Sequence, residues 1–200
     1  RRQEESGIPH IYFTGCGGNI TTGKYNDGVE HNRQLFSERI HTAMVQAEEA
    51  AKRQPLENLN WTMEPVCLPP REDLTEETLL AEIRDASGDR AKVHSKAALM
   101  LTYLRRQSRP IPITCLHLNG QTAILHLPGE TFIEYQLHAQ AARPGAFIAV
   151  AGYGDLGTGY ITLASSFAEG GYEPKDAFVS GGSEQILRDA ITRVLDSSSQ

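Results

Sequence analysis

Ile111-Pro-Ile-Thr-Cys-Leu-His-Leu-Asn119-Gly120-Gln-Thr122-Ala-Ile-Leu-His-Leu127-Pro128-Gly129-Glu130 is the stretch on which the fold turns. Two β-rich runs, 111–118 and 122–127, flank Asn119-Gly120, the strongest short-range hairpin signal. The second run stops at Pro128-Gly129, a turn dipeptide, and Glu130 is expected to open a helix reaching about Ala142. Residues 147–151 form a continuous apolar strand. Working outward, 10–14 reads as a strand rich in β-formers, 15–27 as a Gly-rich loop, and 32–54 as a long amphipathic helix. Leu35, Ile40, Met44, Val45 and Ala51 share a face of that helix, and Pro55 with Asn58 ends it. A strand over 61–68 is stopped by Pro69-Pro70. Helices follow over 75–86 and 89–107, the second with Val93, Ala97, Met100, Leu101 and Leu104 on one stripe. A second Gly-rich loop spans 152–167, and a last helix spans 183–195. This order predicts an α/β protein of mixed α+β layers, with an antiparallel hairpin near 111–127. Residues 1–195 read as one folded portion of the chain, followed by a disordered Ser-rich tail at 196–200.

Composition narrows the function classes. At 200 residues, 40% apolar and 22% charged, the chain is long enough to bury a sizeable core. A net charge of −6 argues against a nucleic-acid partner or an anionic membrane surface. The densest basic cluster, Arg105-Arg106 with Arg109, reads as a solvated helix end. No apolar run approaches membrane-spanning length, which leaves only peripheral membrane contact open. Three cysteines without a CxxC spacing argue against a disulfide framework. The opening Arg1-Arg2-Gln3-Glu4-Glu5 has no signal-peptide pattern and reads as the end of a helix, so the chain is expected to begin inside a larger domain. Its localisation is open; secretion or the periplasm is the expectation for a full-length form.

Several motifs carry chemistry. Gly152-Tyr153-Gly154-Asp155-Leu156-Gly157 matches the dinucleotide pattern and follows a strand, but Gly159-Tyr160-Ile161-Thr162 continues as β-branched sequence where that pattern needs a helix. The loop Gly15-Cys16-Gly17-Gly18-Asn19-Ile20-Thr21-Thr22 can turn backbone amides toward an anion, and read by itself is as well explained as a tight structural loop. The seven histidines form no HxH or HxxxH pair; His117 and His126 flank the hairpin and read as packing residues. Cys16 reads as a small buried thiol. Glu130 either caps its helix or offers a carboxylate kept ionised by a helix N-terminus. Together with the phenols of Tyr160 and Tyr172 it gives oxygen donors of the kind zinc accepts.

Leu127-Pro128-Gly129-Glu130, Tyr160-Ile161-Thr162 and, twelve residues after Tyr160, Tyr172-Glu173 together resemble the C-terminal half of the catalytic domain of neutral ceramidases, zinc amidases that cleave N-acylsphingosine. The match runs from about Ile11 to Leu195 and is nearest to short bacterial relatives. The resemblance implies that Glu130 and Tyr160 are zinc ligands and that Tyr172 polarises the amide carbonyl. Gly18-Asn19-Ile20-Thr21-Thr22 aligns with the family's Gly-Asn/Asp-aliphatic-Ser-Pro, so Thr21 takes the nucleophile serine's place and Thr22 that of its proline. Asn19 belongs to the same catalytic loop, and the Gly17 and Gly18 amides are its oxyanion donors. The family's two histidine ligands precede the matched part, its immunoglobulin-like C-terminal domain has no counterpart here, and Gly159 replaces a bulkier residue. The implied activity is zinc-dependent hydrolysis of an N-acyl amphiphile. The competing readings are a non-catalytic scaffold of the same shape and, on the glycine motif alone, a nucleotide-binding module.

Overall fold

The hairpin forms where Asn119-Gly120 places it. In the computed structural model, which describes residues 1–56, 59–85, 91–154 and 158–196, strands β2 (Ile111–Asn119) and β3 (Thr122–Pro128) pair antiparallel with Cys115 opposite Leu125. Strand β1 (Asn60–Val66) joins the outer edge of β2, also antiparallel, with Trp61 opposite Leu116. On the far side β5 (Phe147–Gly154) runs parallel to β3. A parallel pair needs a crossover, commonly a helix, and α5 (Ile133–Ala142) supplies it. The sheet order is β1-β2-β3-β5.

One face of this sheet is the core. Along β3 the side chains alternate, Ala123, Leu125 and Leu127 buried and Thr122, Ile124 and His126 partly exposed, as a strand with one packed face requires. Helix α8 (Ser183–Asp196) lies against β1 and β2, and α5 against β5. Leu187, Ala190, Ile191, Val194 and Leu195 are buried along α8, a stripe at helical spacing. Tyr135 of α5 is fully buried and its hydroxyl donates to the Thr162 carbonyl at 2.7 Å. His117 sits in the same layer: its Nε2 lies 3.0 Å from the Thr62 hydroxyl and 3.3 Å from the Val194 carbonyl, and burial holds its pKa below the usual histidine value.

A smaller apolar cluster forms where α3 (Glu76–Asp85) packs on α4 (Ala91–Arg106). Leu79, Ala97, Met100 and Leu101 close around Phe178. Thr75 and Thr78 cap α3 reciprocally, each backbone N–H donating to the other's hydroxyl at 3.1–3.2 Å. The expected ends of these helices, 86 and 89–90, lie outside the described residues, as do Asn58 and the tail beyond Asp196.

The chain forms two compact units. The sheet, its helices and the segment Thr14–Ile20 make one of them. The other comprises Arg1–Phe13 and Thr21–Leu56, with α1 (Arg2–Ser6) and α2 (His31–Ala50) joined by the pairs Arg2–Glu48 and His41–Glu5. Neither helix buries a side chain. Leu35, Met44 and Val45 are half-buried, and Ile40, expected on the same face, is exposed.

Two local expectations are corrected. Residues 10–14 form no strand: the Thr14 carbonyl accepts from the Gly152 N–H of β5 at 2.7 Å but the contact does not extend into a ladder, and Ile11, Tyr12 and Phe13 are exposed. Glu130 does not open a helix: it lies in a two-residue strand, and α5 begins at Ile133. No helix among the described residues is long and apolar enough to cross a membrane.

Candidate active site

Glu130 and Tyr160 stand opposite each other on two short parallel strands, β4 (Glu130–Thr131) and β6 (Tyr160–Ile161). The ladder is made by the Glu130 N–H on the Gly159 carbonyl at 2.9 Å and the Phe132 N–H on the Ile161 carbonyl at 3.1 Å. Paired strands lie roughly 5 Å apart and register partners share a face, so the carboxylate and the phenol leave the backbone side by side. A glycine precedes each: Gly129 at φ +57° and Gly159 at φ +58°. Both conformations disfavour a side chain, and the spaces are closed. A Cβ on Gly159 would lie 2.7 Å from the Asp176 carbonyl; one on Gly129 would lie 2.7 Å from the Gly159 carbonyl. The bulkier residue that the resemblance sets before Tyr160 is therefore excluded here by the chain itself.

Tyr172 completes the group. Its ring meets that of Tyr160 edge-on, with centroids 5.8 Å apart and planes at 85°. Burial, a hydrogen bond with Tyr172 and the Glu130 carboxylate beside it hold the Tyr160 phenol well above its ordinary pKa. A cation placed among these oxygens would act the other way, favouring the phenolate. The donors suit zinc in kind, and Glu130 and Tyr160 would supply two of the three or four protein ligands it takes. Among the described residues no three His, Cys, Asp or Glu side chains come together as a metal group.

Residues 15–20 of the first Gly-rich loop border this pair. The Gly18 N–H donates to the Thr131 carbonyl at 2.9 Å, so in this arrangement that amide is committed to β4. The Asn19 side chain accepts from the Ile133 N–H and donates to Glu134, both at 2.9 Å, capping α5 from outside the helix. Cys16 is buried; its sulfur accepts from the Thr131 hydroxyl at 3.0 Å, and burial raises its thiol pKa. Gly17 lies beside Tyr153, whose hydroxyl would sit 3.2 Å from a Cβ at that glycine. Thr21 belongs to the other unit, where its hydroxyl accepts from the Gly23 N–H at 3.2 Å.

Two residues that sequence reasoning passed over stand near these groups. Tyr153 is a non-glycine residue at φ +62°, and nothing in its Gly-Tyr-Gly context announces that. Arg71 reaches the segment that carries Tyr172 through long-range hydrogen bonds, with no spacing to signal it. In the dinucleotide-like motif, residues 155–157 lie outside the described residues; Thr158 and Gly159 then enter β6, with no helix there to face a pyrophosphate.

No protein-family model and no curated protein matches the chain. Among solved structures, a neutral ceramidase from Pseudomonas aeruginosa matches with TM-score 0.57 and 15% identity, over 96% of this chain and 38% of that one. A ceramidase complexed with C2 matches over 45% of this chain and 15% of that one, at TM-score 0.40 and 15% identity. The chain thus spans well under half the length of either protein. Its mixed α/β architecture is similar to that of a segment of a neutral ceramidase, and at this identity the likeness is one of fold.

Proposed function

We propose that this chain is the C-terminal portion, residues 1–195, of the catalytic domain of a zinc-dependent amidohydrolase acting on an N-acyl amphiphile, a ceramide-like lipid being the best fit. The observation that carries the reading is the convergence of Glu130, Tyr160 and Tyr172 on one small parallel ladder. The fold shared with a neutral ceramidase supports it. Glu130 and Tyr160 would hold the zinc together with two histidines from outside this chain. When bound, the ion supplies Lewis acidity for amide hydrolysis.

The chain's own residues then have separate tasks. Glu130 presents an anionic oxygen to the cation from a backbone fixed by β6 on one edge and by the Gly18 amide on the other. The Tyr172 phenol donates to the substrate carbonyl as negative charge develops there. Asn19 keeps the glycine loop on the first turn of α5, and the Gly17 amide would be a second donor to that oxygen. Thr21 would position water or substrate, or serve as nucleophile.

The test is fatty-acid release from a short-chain N-acyl sphingoid base by the whole protein that carries this chain, supplied with zinc. Tyr172→Phe is expected to lose about a hundredfold in kcat, and Thr21→Ala less. Near-normal turnover in Tyr172→Phe with none in Thr21→Ala would transfer the main role to Thr21. No release by the unaltered protein would favour a non-catalytic scaffold.

A further inference from the structure

We propose that Arg71 is a positioning residue for Tyr172: its guanidinium clamps the short helix that follows Tyr172 and so fixes where the phenol stands against Tyr160. The inference rests on the reading of Tyr172 given above for its catalytic consequence, and on geometry alone for the clamp. Tyr172 is 60% exposed. The backbone before it passes through Gly170 at φ +85° and Gly171 at φ +116°, so placement from that side is weak. After it comes α7 (Glu173–Asp176), a single turn closed by Asp176 N–H on the Tyr172 carbonyl at 2.9 Å and Ala177 N–H on the Glu173 carbonyl at 2.8 Å. So short a helix leaves its last carbonyls without helical partners.

Arg71 supplies those partners. Its Nη1 donates to the carbonyls of Pro174 at 3.1 Å, Lys175 at 2.5 Å and Ala177 at 3.2 Å. The opposite edge of the guanidinium is held by Asp73, Nε on Oδ1 at 2.9 Å with Nη2 on Oδ2. A planar cation gripped on one side by a carboxylate presents its remaining donors in a fixed direction. Lys96 adds a second tie to the same turn through Asp176. The Arg71 backbone is anchored separately, by its N–H on the Phe178 carbonyl at 3.0 Å and by the bridge between Pro70 and Val179. Removing the side chain therefore leaves these carbonyls without that partner and loosens α7, while the strand-like contact beneath it stays. The same turn closes over Gly159 through the Asp176 carbonyl, so Tyr160 and Tyr172 are both referred to one clamped element.

The experiment incorporates 3-fluorotyrosine into the chain and follows its fluorine resonances, with Tyr172 assigned by its loss in Tyr172→Phe. In Arg71→Ala the Tyr172 signal is expected to move toward that of free tyrosine and to narrow, while that of buried Tyr135 stays in place. Asp73→Asn is expected to move it in the same direction by less. Arg71→Lys restores the charge but not the fork, and should not restore the signal. A Tyr172 resonance unchanged in Arg71→Ala, or a shift shared equally by Tyr135, overturns the clamp. In the whole protein, Arg71→Ala should lower kcat about tenfold or more with little change in KM, and should cost nothing further once Tyr172 is Phe. Losses that simply add would overturn the role through Tyr172. Undiminished turnover in Tyr172→Phe alone would instead refute the catalytic reading of Tyr172, leaving the fluorine result to judge the clamp.

Discussion

A methyl group at residue 159 has nowhere to go. It would lie 2.7 Å from the Asp176 carbonyl and 3.0 Å from the Phe178 ring, on a backbone at φ +58°. Gly159→Ala is expected to lower stability by at least about 1–2 kcal/mol from the left-handed conformation alone, read as a shift of the urea midpoint, and to displace Tyr160 with it. His117 gives a pH dependence with a definite sign. Its folded pKa lies below the ordinary value because burial disfavours the imidazolium, so the unfolded chain takes up the proton first. The stability tied to neutral His117 is present above about pH 6.5 and is lost as pH falls below it. His117→Leu should flatten that limb between pH 7 and pH 5 in urea titrations. The Thr62 hydroxyl already donates to the Val194 carbonyl at 2.9 Å, so the leucine leaves that acceptor satisfied.

Among the elements, α5 is capped by a residue far away in sequence. Asn19→Ala removes the acceptor of the Ile133 N–H and is expected to cost about 1 kcal/mol, seen in thermal melts, with faster hydrogen exchange in the first turn of α5. A purely catalytic asparagine would leave both unchanged. How much of this was legible depended on whether the signal was local. The hairpin at Asn119-Gly120, the apolar strand at 147–151 and the last helix each rest on neighbouring residues, and all three are legible in the sequence. Strands β4 and β6 are not, because two residues carry no periodicity and their pairing is decided by chain brought from elsewhere. For the same reason the sequence alone places Glu130 in the helix that starts three residues later. Residues 10–14 misled in the opposite direction, having β-propensity without a partner strand. At the candidate site, Glu130, Tyr160 and Tyr172 are singled out by resemblance alone, and in the structure the three lie side by side. The tasks of Asn19 and Gly18 in holding the loop follow from backbone contacts that no residue type announces.

For the whole molecule, the metal chemistry proposed here needs more ligands than Glu130 and Tyr160. Zinc usually takes three or four protein ligands, so calorimetric titration of this chain alone is expected to show weak binding or none. Tight one-to-one binding would require further ligands within these residues, and His126 and His10 would be the first to replace. The parallel ladder of Glu130 and Tyr160 also orders events in time. The β2–β3 hairpin closes over two residues, whereas α5 and β5 lie between β4 and β6 along the chain, and long loops are slow to close. In a mutant series Leu125→Ala should therefore slow folding, with a φ-value well above that of Ile161→Val, which should mainly speed unfolding. The pair of side chains on which the proposed chemistry depends would then be among the last contacts made as the chain folds and among the first lost as it opens.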